Sequence, residues 1–311
     1  MTLPALPEDN LSTGMKITPF IERKGIHPIL FAFLSLAVIF VLYQIGGGLI
    51  TFFVMHGAKI DRENVGVIRL FTMLGQIFLI FVPTVVLARL LSIRHGDIFP
   101  LRAPGWRESA FAVIGLLSLQ RIFEVYIYFQ DSVALPESLR KLIDPIRQML
   151  EEMVKVLVQS QSIPELLFVI LVVAFVPSIV EEFLFRGLIQ SAFGRAMKPL
   201  ASAILAGMIF GLFHLNPFEA VPLMAIGCFL GFLRYRSASM VLPVLMHFLN
   251  NLLAIIAEKM NVGDEKIIMA PSSDHPGLAI LLAQLLLFGG LFIVSTRFYI
   301  QTTDHLVERH A

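Results

Sequence analysis

The residues best suited to chemistry in this chain are polar and ionisable side chains that interrupt long apolar segments. An ionisable side chain near the centre of a bilayer costs about 2.5–3.5 kcal/mol on insertion scales, so each is a functional candidate by default. They are Glu181, Glu182, Arg186, His214, His247 and Asn251. A glutamate close to two histidines is the set that general acid–base hydrolysis uses, and it would equally serve a catalytic zinc ion.

The adjacent acids Glu181 and Glu182 have different expected roles. Glu182 precedes Arg186 by four residues, with the acid on the N-terminal side, which favours an ion pair along a helix. That pair would let the membrane tolerate both charges. Glu181 is rotated by about 100° around the helix, so it faces a neighbouring helix without a local partner. Glu181 is therefore the expected general base or acid.

The histidines can reach Glu181 if the apolar segments form antiparallel helices. At 1.5 Å per residue, Glu181 and His214 both lie roughly 22–27 Å from a turn near residue 196. His247 and Asn251 are one helical turn apart, so they share a face of a third helix. The spacing predicts that three helices converge on one glutamate, two histidines and one asparagine.

Two prolines accompany these polar residues. Pro177 precedes Glu181, and Pro243 precedes His247, each by four residues. A proline removes a backbone hydrogen bond and kinks a helix. We expect both prolines to open a polar cavity locally.

The composition identifies the environment of these residues. Of the 311 residues, 57% are hydrophobic and 15% are charged, with a mean hydropathy of +0.80, whereas soluble proteins have about 45–50% and 25%. These values predict an all-α polytopic membrane bundle and exclude a soluble enzyme, a disordered chain and a disulfide scaffold. A net charge of +1 provides no field for nucleic acid, so the expected partners are the lipid bilayer and a membrane-bound or hydrophobic substrate.

Apolar segments of about 20 residues predict transmembrane helices. We predict eight spans near 28–55, 67–91, 109–129, 164–192, 198–216, 218–235, 239–258 and 277–296. Residues 137–160 instead have apolar side chains at helical spacing and charges on the opposite face. This pattern predicts an amphipathic helix along the membrane surface.

Two GxxxG motifs, at 207–211 and 227–231, lie on neighbouring apolar segments joined by the short turn at Asn216 and Pro217. Small residues at this spacing let helix backbones approach closely. We therefore expect an antiparallel hairpin with close helix contact.

The expected organisation has four parts. They are a polar N-terminal tail (1–27), N-terminal transmembrane helices with the amphipathic helix (28–163), a core (164–258), and a loop, last helix and C-terminal tail (259–311). Thirteen Lys and Arg residues on the side of the termini face eight on the other side. This bias predicts cytoplasmic termini, in the plasma (inner) membrane if the chain is bacterial.

Taken in order, the patterns EExxxR, FxxxH and HxxxN resemble those of the CAAX-protease and bacteriocin-processing family, the Rce1-like or Abi intramembrane proteases. The resemblance covers roughly residues 164–258. The matching residues are Glu181, Glu182, Arg186, Phe210, His214, His247 and Asn251. All three motifs are intact, and the remaining helices match only as generic apolar segments.

The resemblance implies an intramembrane endopeptidase that hydrolyses a peptide bond of a membrane-associated protein or peptide. In this interpretation Glu181 and His214 activate water, and His247 and Asn251 stabilise the oxyanion. The resemblance gives supporting roles to Phe210 and to the Glu182–Arg186 pair, which would hold the helix.

Several alternatives stay open from the sequence. Glu181, His214 and His247 could bind zinc with an open coordination position, or the glutamate could act without metal. A secondary transporter would also concentrate carboxylates, histidines and proline kinks inside the membrane. A non-enzymatic scaffold or immunity protein of the same family type is a third possibility.

Overall fold

The structure is a computed structural model that describes residues 18–54, 62–133, 136–261 and 277–308. Within these ranges the regular elements are helices and no strand occurs, which confirms the all-α prediction. Residues 1–17 of the predicted polar tail, residues 262–276 of the predicted loop and residues 309–311 lie outside the described ranges.

The structure contains nine long helices within the described residues. They are α1 (Pro28–Val54), α2 (Val65–Leu91), α3 (Trp106–Ser132), α4 (Glu137–Val158), α5 (Ile163–Gly194), α6 (Pro199–Phe213), α7 (Ala220–Ser237), α8 (Val241–Asn261) and α9 (Leu278–Glu308). Single helical turns at Phe20–Arg23 and His95–Ile98 precede α1 and follow α2.

Six of these helices, namely α1, α2, α3, α5, α8 and α9, are long and apolar enough to cross a membrane. Helix α6 has 15 residues and is about 22 Å long at 1.5 Å per residue, less than a bilayer core of about 30 Å. Helix α7 carries Arg234 and Arg236 in its last turn. Each predicted span corresponds to a helix, but the count of eight spans is not confirmed for α6 and α7.

Helices α6 and α7 form the predicted antiparallel hairpin, and glycines set their separation. A Cβ atom added at Gly207 or Gly227 would lie closer than 3.0 Å to the backbone of the other helix. A Cβ on Gly211 would meet the backbone N of Met224 at 2.5 Å. Larger residues at these positions would push the helices apart, so the GxxxG motifs have the predicted packing role.

Helix α4 is the predicted amphipathic helix, and a buried arginine holds its C-terminal end. Arg69 of α2 donates from Nε to the carbonyl of Leu157 at 3.0 Å and from Nη2 to that of Val156 at 3.2 Å. Its Nη1 forms an ion pair with Glu165 at 2.8 Å. These last-turn carbonyls have no partner inside the helix, so Arg69 satisfies them and joins α4 to α2 and α5.

Three of the membrane helices contain wide π turns. They lie at Val41–Gly47 in α1, Gln76–Phe81 in α2, and Ile170–Phe175 and Phe183–Ile189 in α5. The wide turn of α2 packs against that of α1 and against residues 176–182 of α5. Such turns are rare and are frequently found at functional sites.

Candidate active site

The two acids lie on a regular helical segment of α5, Val176–Glu182, between two wide turns. Pro177 is the second residue of this segment, directly after the wide turn Ile170–Phe175, so the helix departs from α geometry where the sequence predicted an opening. Pro243 is different, because it is the third residue of α8. First-turn amides have no helical partner in any case, so the predicted kink at Pro243 is wrong.

Glu182 and Arg186 form the ion pair expected from their spacing, in full burial. Nη1 of Arg186 donates to Oε1 of Glu182 at 2.7 Å, and both side chains are 0% exposed. The second guanidinium nitrogen, Nη2, donates to the carbonyl of Gly227 on α7 at 2.9 Å. Gly227 also lies against Gly207, so the pair connects α5 to the glycine-packed hairpin.

Each histidine is oriented through Nδ1 by a different acceptor. Nδ1 of His247 lies 2.8 Å from Oε1 of Glu182, and Nδ1 of His214 lies 2.8 Å from the carbonyl oxygen of Phe210. Both acceptors require the proton on Nδ1. In a neutral ring the lone pair is then on Nε2, the atom that the site can use.

Both Nε2 atoms face the same carboxylate oxygen. Oε2 of Glu181 lies 3.7 Å from Nε2 of His214 and 3.9 Å from Nε2 of His247. This oxygen is buried without a hydrogen-bond partner in the protein, although the Glu181 side chain as a whole is 18% exposed. The separations are too long for direct hydrogen bonds and short enough for one water molecule or substrate atom to bridge.

Phe210 packs at the centre of this group. Its ring contacts His214 and His247 edge-on, with centroid distances of 4.7 Å and 5.6 Å, and the guanidinium of Arg186 lies 4.5 Å from its centroid. A cation over an aromatic ring is attracted to it. Phe210 therefore fixes both imidazoles and the arginine from one apolar side.

Comparison with known proteins identifies the region that holds these side chains. Residues 163–253 match the family model described as type II CAAX prenyl endopeptidase Rce1-like. This region is Rce1-like. The match confirms the resemblance and, at the level of the family, indicates a CAAX-protease-like membrane endopeptidase. No curated protein matches the chain, and no solved structure does.

Within the Rce1-like region, Asn251 occupies a position that its predicted role did not anticipate. Its Nδ2 donates to the carbonyl of Val173 at 3.4 Å. In a regular helix this carbonyl would accept from the N–H of residue 177, and Pro177 has none. Asn251 thus binds a backbone carbonyl in the wide turn of α5 just before Pro177, while the amide retains a second N–H.

Polar residues outside the Rce1-like region also reach the site, and the sequence analysis missed them. Tyr43 in the wide turn of α1 lies close to Gln76 in that of α2, and it lies within electrostatic reach of Glu181. Gln44 donates to the carbonyl of Phe213, next to His214, at 3.3 Å. The signal in the sequence is an uncharged polar residue near glycines inside an apolar span, and glutamine is not ionisable.

The zinc alternative can be examined with the same side chains. Histidine ligands that donate Nδ1–H to a carboxylate or carbonyl are typical of metal sites, and His214 and His247 do so. Among the described residues, however, no group of three or more His, Cys, Asp and Glu side chains has an arrangement that could hold a metal ion. The zinc alternative therefore stays a prediction, and we assign no step to a metal.

Proposed function

We propose that the chain is an intramembrane endopeptidase that uses Glu181 as general base and general acid. The observation that carries this proposal is the approach of both histidine Nε2 atoms to one buried, unpartnered oxygen of Glu181. A water molecule bridging Glu181 and His214 would lose a proton to the carboxylate as its oxygen attacks the scissile carbonyl. The same proton would then pass to the leaving amine, so the peptide bond breaks and no cofactor is consumed.

His247 is the proposed donor to the tetrahedral oxyanion. Glu182 accepts from Nδ1 of His247 and fixes the ring. A protonated His247 would therefore present its Nε2–H towards the oxyanion that forms on the scissile carbonyl. One correctly placed donor of this kind is worth about 10²–10³ in rate. The second N–H of Asn251, which is not needed by Val173, is proposed to assist it.

Gln76 is proposed to bind the substrate backbone. Its side chain is 6% exposed, and its Oε1 has no hydrogen-bond partner in the protein. Buried acceptors are normally satisfied, and an extended peptide entering the site supplies N–H donors. Tyr43, which lies close to Gln76, would hold this amide in place.

The decisive experiment is a cleavage assay on purified protein in detergent, with a prenylated CAAX peptide and an unmodified hydrophobic peptide as substrates. New peptide termini identified by mass spectrometry are expected with wild type and absent with Glu181→Gln. Glu137→Gln is the matched control, because Glu137 lies on α4 with its side chain 81% exposed. Equal cleavage by wild type and Glu181→Gln would contradict the proposal, and no cleavage by either would favour the scaffold alternative.

A further inference from the structure

A cavity of about 510 Å³ is lined in part by Arg186 and does not include the two acids. It is bounded by the segment after α2, the end of α5, the start of α6 and the ends of α7 and α9. These are all helix ends at one side of the bundle, the level at which lipid headgroups meet a membrane protein. The polar side chains that matter here are Asp97, Arg186, Gln190 and Arg234.

Arg234 is the unusual member of this lining. It forms no ion pair with any carboxylate whose side chain the structure describes, and its Nε is buried without a partner. Its neighbour Arg236, two residues later, pairs with Asp304 at 2.6 Å and donates to Thr303. Arg234 as a residue is only partly buried, but a guanidinium with a buried nitrogen is normally paired, so Arg234 is a cation without a described counter-charge.

Other polar atoms in the lining also lack partners. Arg186 is fully buried, yet its Nε makes no hydrogen bond, although Nη1 and Nη2 bind Glu182 and Gly227. Gln190 is 7% exposed. Its Nε2 donates to Gly231, which leaves Oε1 as an unpartnered buried acceptor. An N–H donor and an acceptor thus lie buried without partners beside the cavity.

The charges facing the cavity define the ligand it would take. Glu182 neutralises Arg186, and exposed Asp97 at the rim accepts from the hydroxyl of Ser92 at 2.9 Å without an ion pair to Arg234. Arg234 thus supplies the unmatched positive charge. A guanidinium binds phosphate oxygens through its planar fork, and basic pockets between membrane helices bind lipid headgroups.

We propose that this cavity is a binding site for a phosphate group, with Arg234 as its principal ligand and Arg186 Nε as a second donor. The phosphate can come from the phosphodiester of an anionic lipid or from free phosphate. A phosphodiester carries a single negative charge, which would balance the positive charge of Arg234. A glycerol headgroup also has hydroxyl groups that could donate to Oε1 of Gln190.

The test uses the full chain, purified and delipidated in a neutral detergent. It is titrated separately with inorganic phosphate and with short-chain phosphatidylglycerol, with short-chain phosphatidylcholine as the zwitterionic comparison of zero net charge. Binding is read by native mass spectrometry and by the shift in melting temperature. Arg234→Gln is expected to weaken binding at least tenfold, and Arg234→Lys to retain part of it.

Arg195→Gln is the matched control, because Arg195 follows α5 near the same end of the bundle, pairs with Glu22 and does not line the cavity. The affinity of Arg195→Gln for both probes is expected to remain within twofold of wild type. Binding of phosphatidylglycerol without binding of inorganic phosphate would support the site and identify its ligand as a lipid. Binding of inorganic phosphate would support the site and identify its ligand as a soluble anion. The proposal is overturned if neither probe binds wild type, or if Arg234→Gln binds as tightly as wild type.

Discussion

The adjacent carboxylates Glu181 and Glu182 lie on two sides of helix α5 and have opposite environments. On the closed side, Glu182 is fully buried and bound to Arg186 and His247, and the glycine-packed hairpin supplies a further acceptor to the arginine. On the open side, the nearest histidine nitrogens to Oε2 of Glu181 are 3.7 Å and 3.9 Å away. Adjacent carboxylates are thus divided into one that holds the bundle and one that stays available to react.

The largest expected effect would follow from removing the closed-side acid. Glu182→Ala leaves Arg186 buried without a counter-charge and His247 without its acceptor, and breaking a buried pair in this way costs about 3–5 kcal/mol. We expect a strong loss of thermal stability in detergent, measured by scanning fluorimetry. Glu181→Ala is the matched variant, and it should melt close to wild type while losing activity. Similar melting of both variants would contradict the division of the two sides.

The second largest expected effect would follow from removing His247, which contacts Glu182 on the closed side and faces Glu181 on the open side. His247→Ala is expected to lower kcat by about 10²–10³, because the ring positioned by Glu182 no longer faces the reacting atoms. Metal analysis of the same preparations tests the zinc alternative. Stoichiometric zinc that is present in active wild type and absent from His247→Ala would contradict the metal-free mechanism. Activity that survives a strong chelator would support the metal-free mechanism.

On the open side, Gln76→Leu removes the proposed acceptor for the substrate backbone. One neutral hydrogen bond contributes about 0.5–1.5 kcal/mol, so kcat/KM should fall by a factor of about 2–13 while the melting temperature is retained. Gln44→Leu serves as a comparison, because Gln44 already donates to Phe213 and is not proposed to bind substrate. A larger loss in Gln44→Leu than in Gln76→Leu would argue against substrate binding by Gln76.

The smallest expected effect concerns stability at Asn251. Hydrogen bonds between membrane helices average about 0.6 kcal/mol, so Asn251→Ala should lower the melting temperature only slightly. Asn251→Asp places acceptor oxygens against the carbonyl of Val173 and should melt earlier than the alanine variant. If Asn251 also donates to the oxyanion, Asn251→Asp loses at least as much cleavage activity as Asn251→Ala. Full activity in both would restrict Asn251 to the bond with Val173.

The sequence predicted the helices, the glycine contacts and the Glu182–Arg186 pair, because these depend on local spacing and composition. It could not predict that Glu182 orients His247 or that Asn251 reaches Val173. Those contacts depend on how α5 and α8 are rotated relative to each other, and the wide turns of α5 change that rotation. Tyr43 and Gln76 were missed for a related reason, since no pattern in α1 or α2 connects them to Glu181.

The attachment of α4 has a consequence for motion that its amphipathic pattern alone would not suggest. Arg69 holds the last turn of α4, and Arg147 ties its middle to Asp131 at 2.6 Å. The first two turns lack such an anchor among the described contacts, apart from an exposed pair within the helix itself. Pro145 separates the two parts and leaves a carbonyl of the first part without its helical donor. Local opening of α4 should therefore start at Glu137 and stop near Arg147, so that its backbone amides exchange with deuterium fastest in the first turns and slowest beside Arg69.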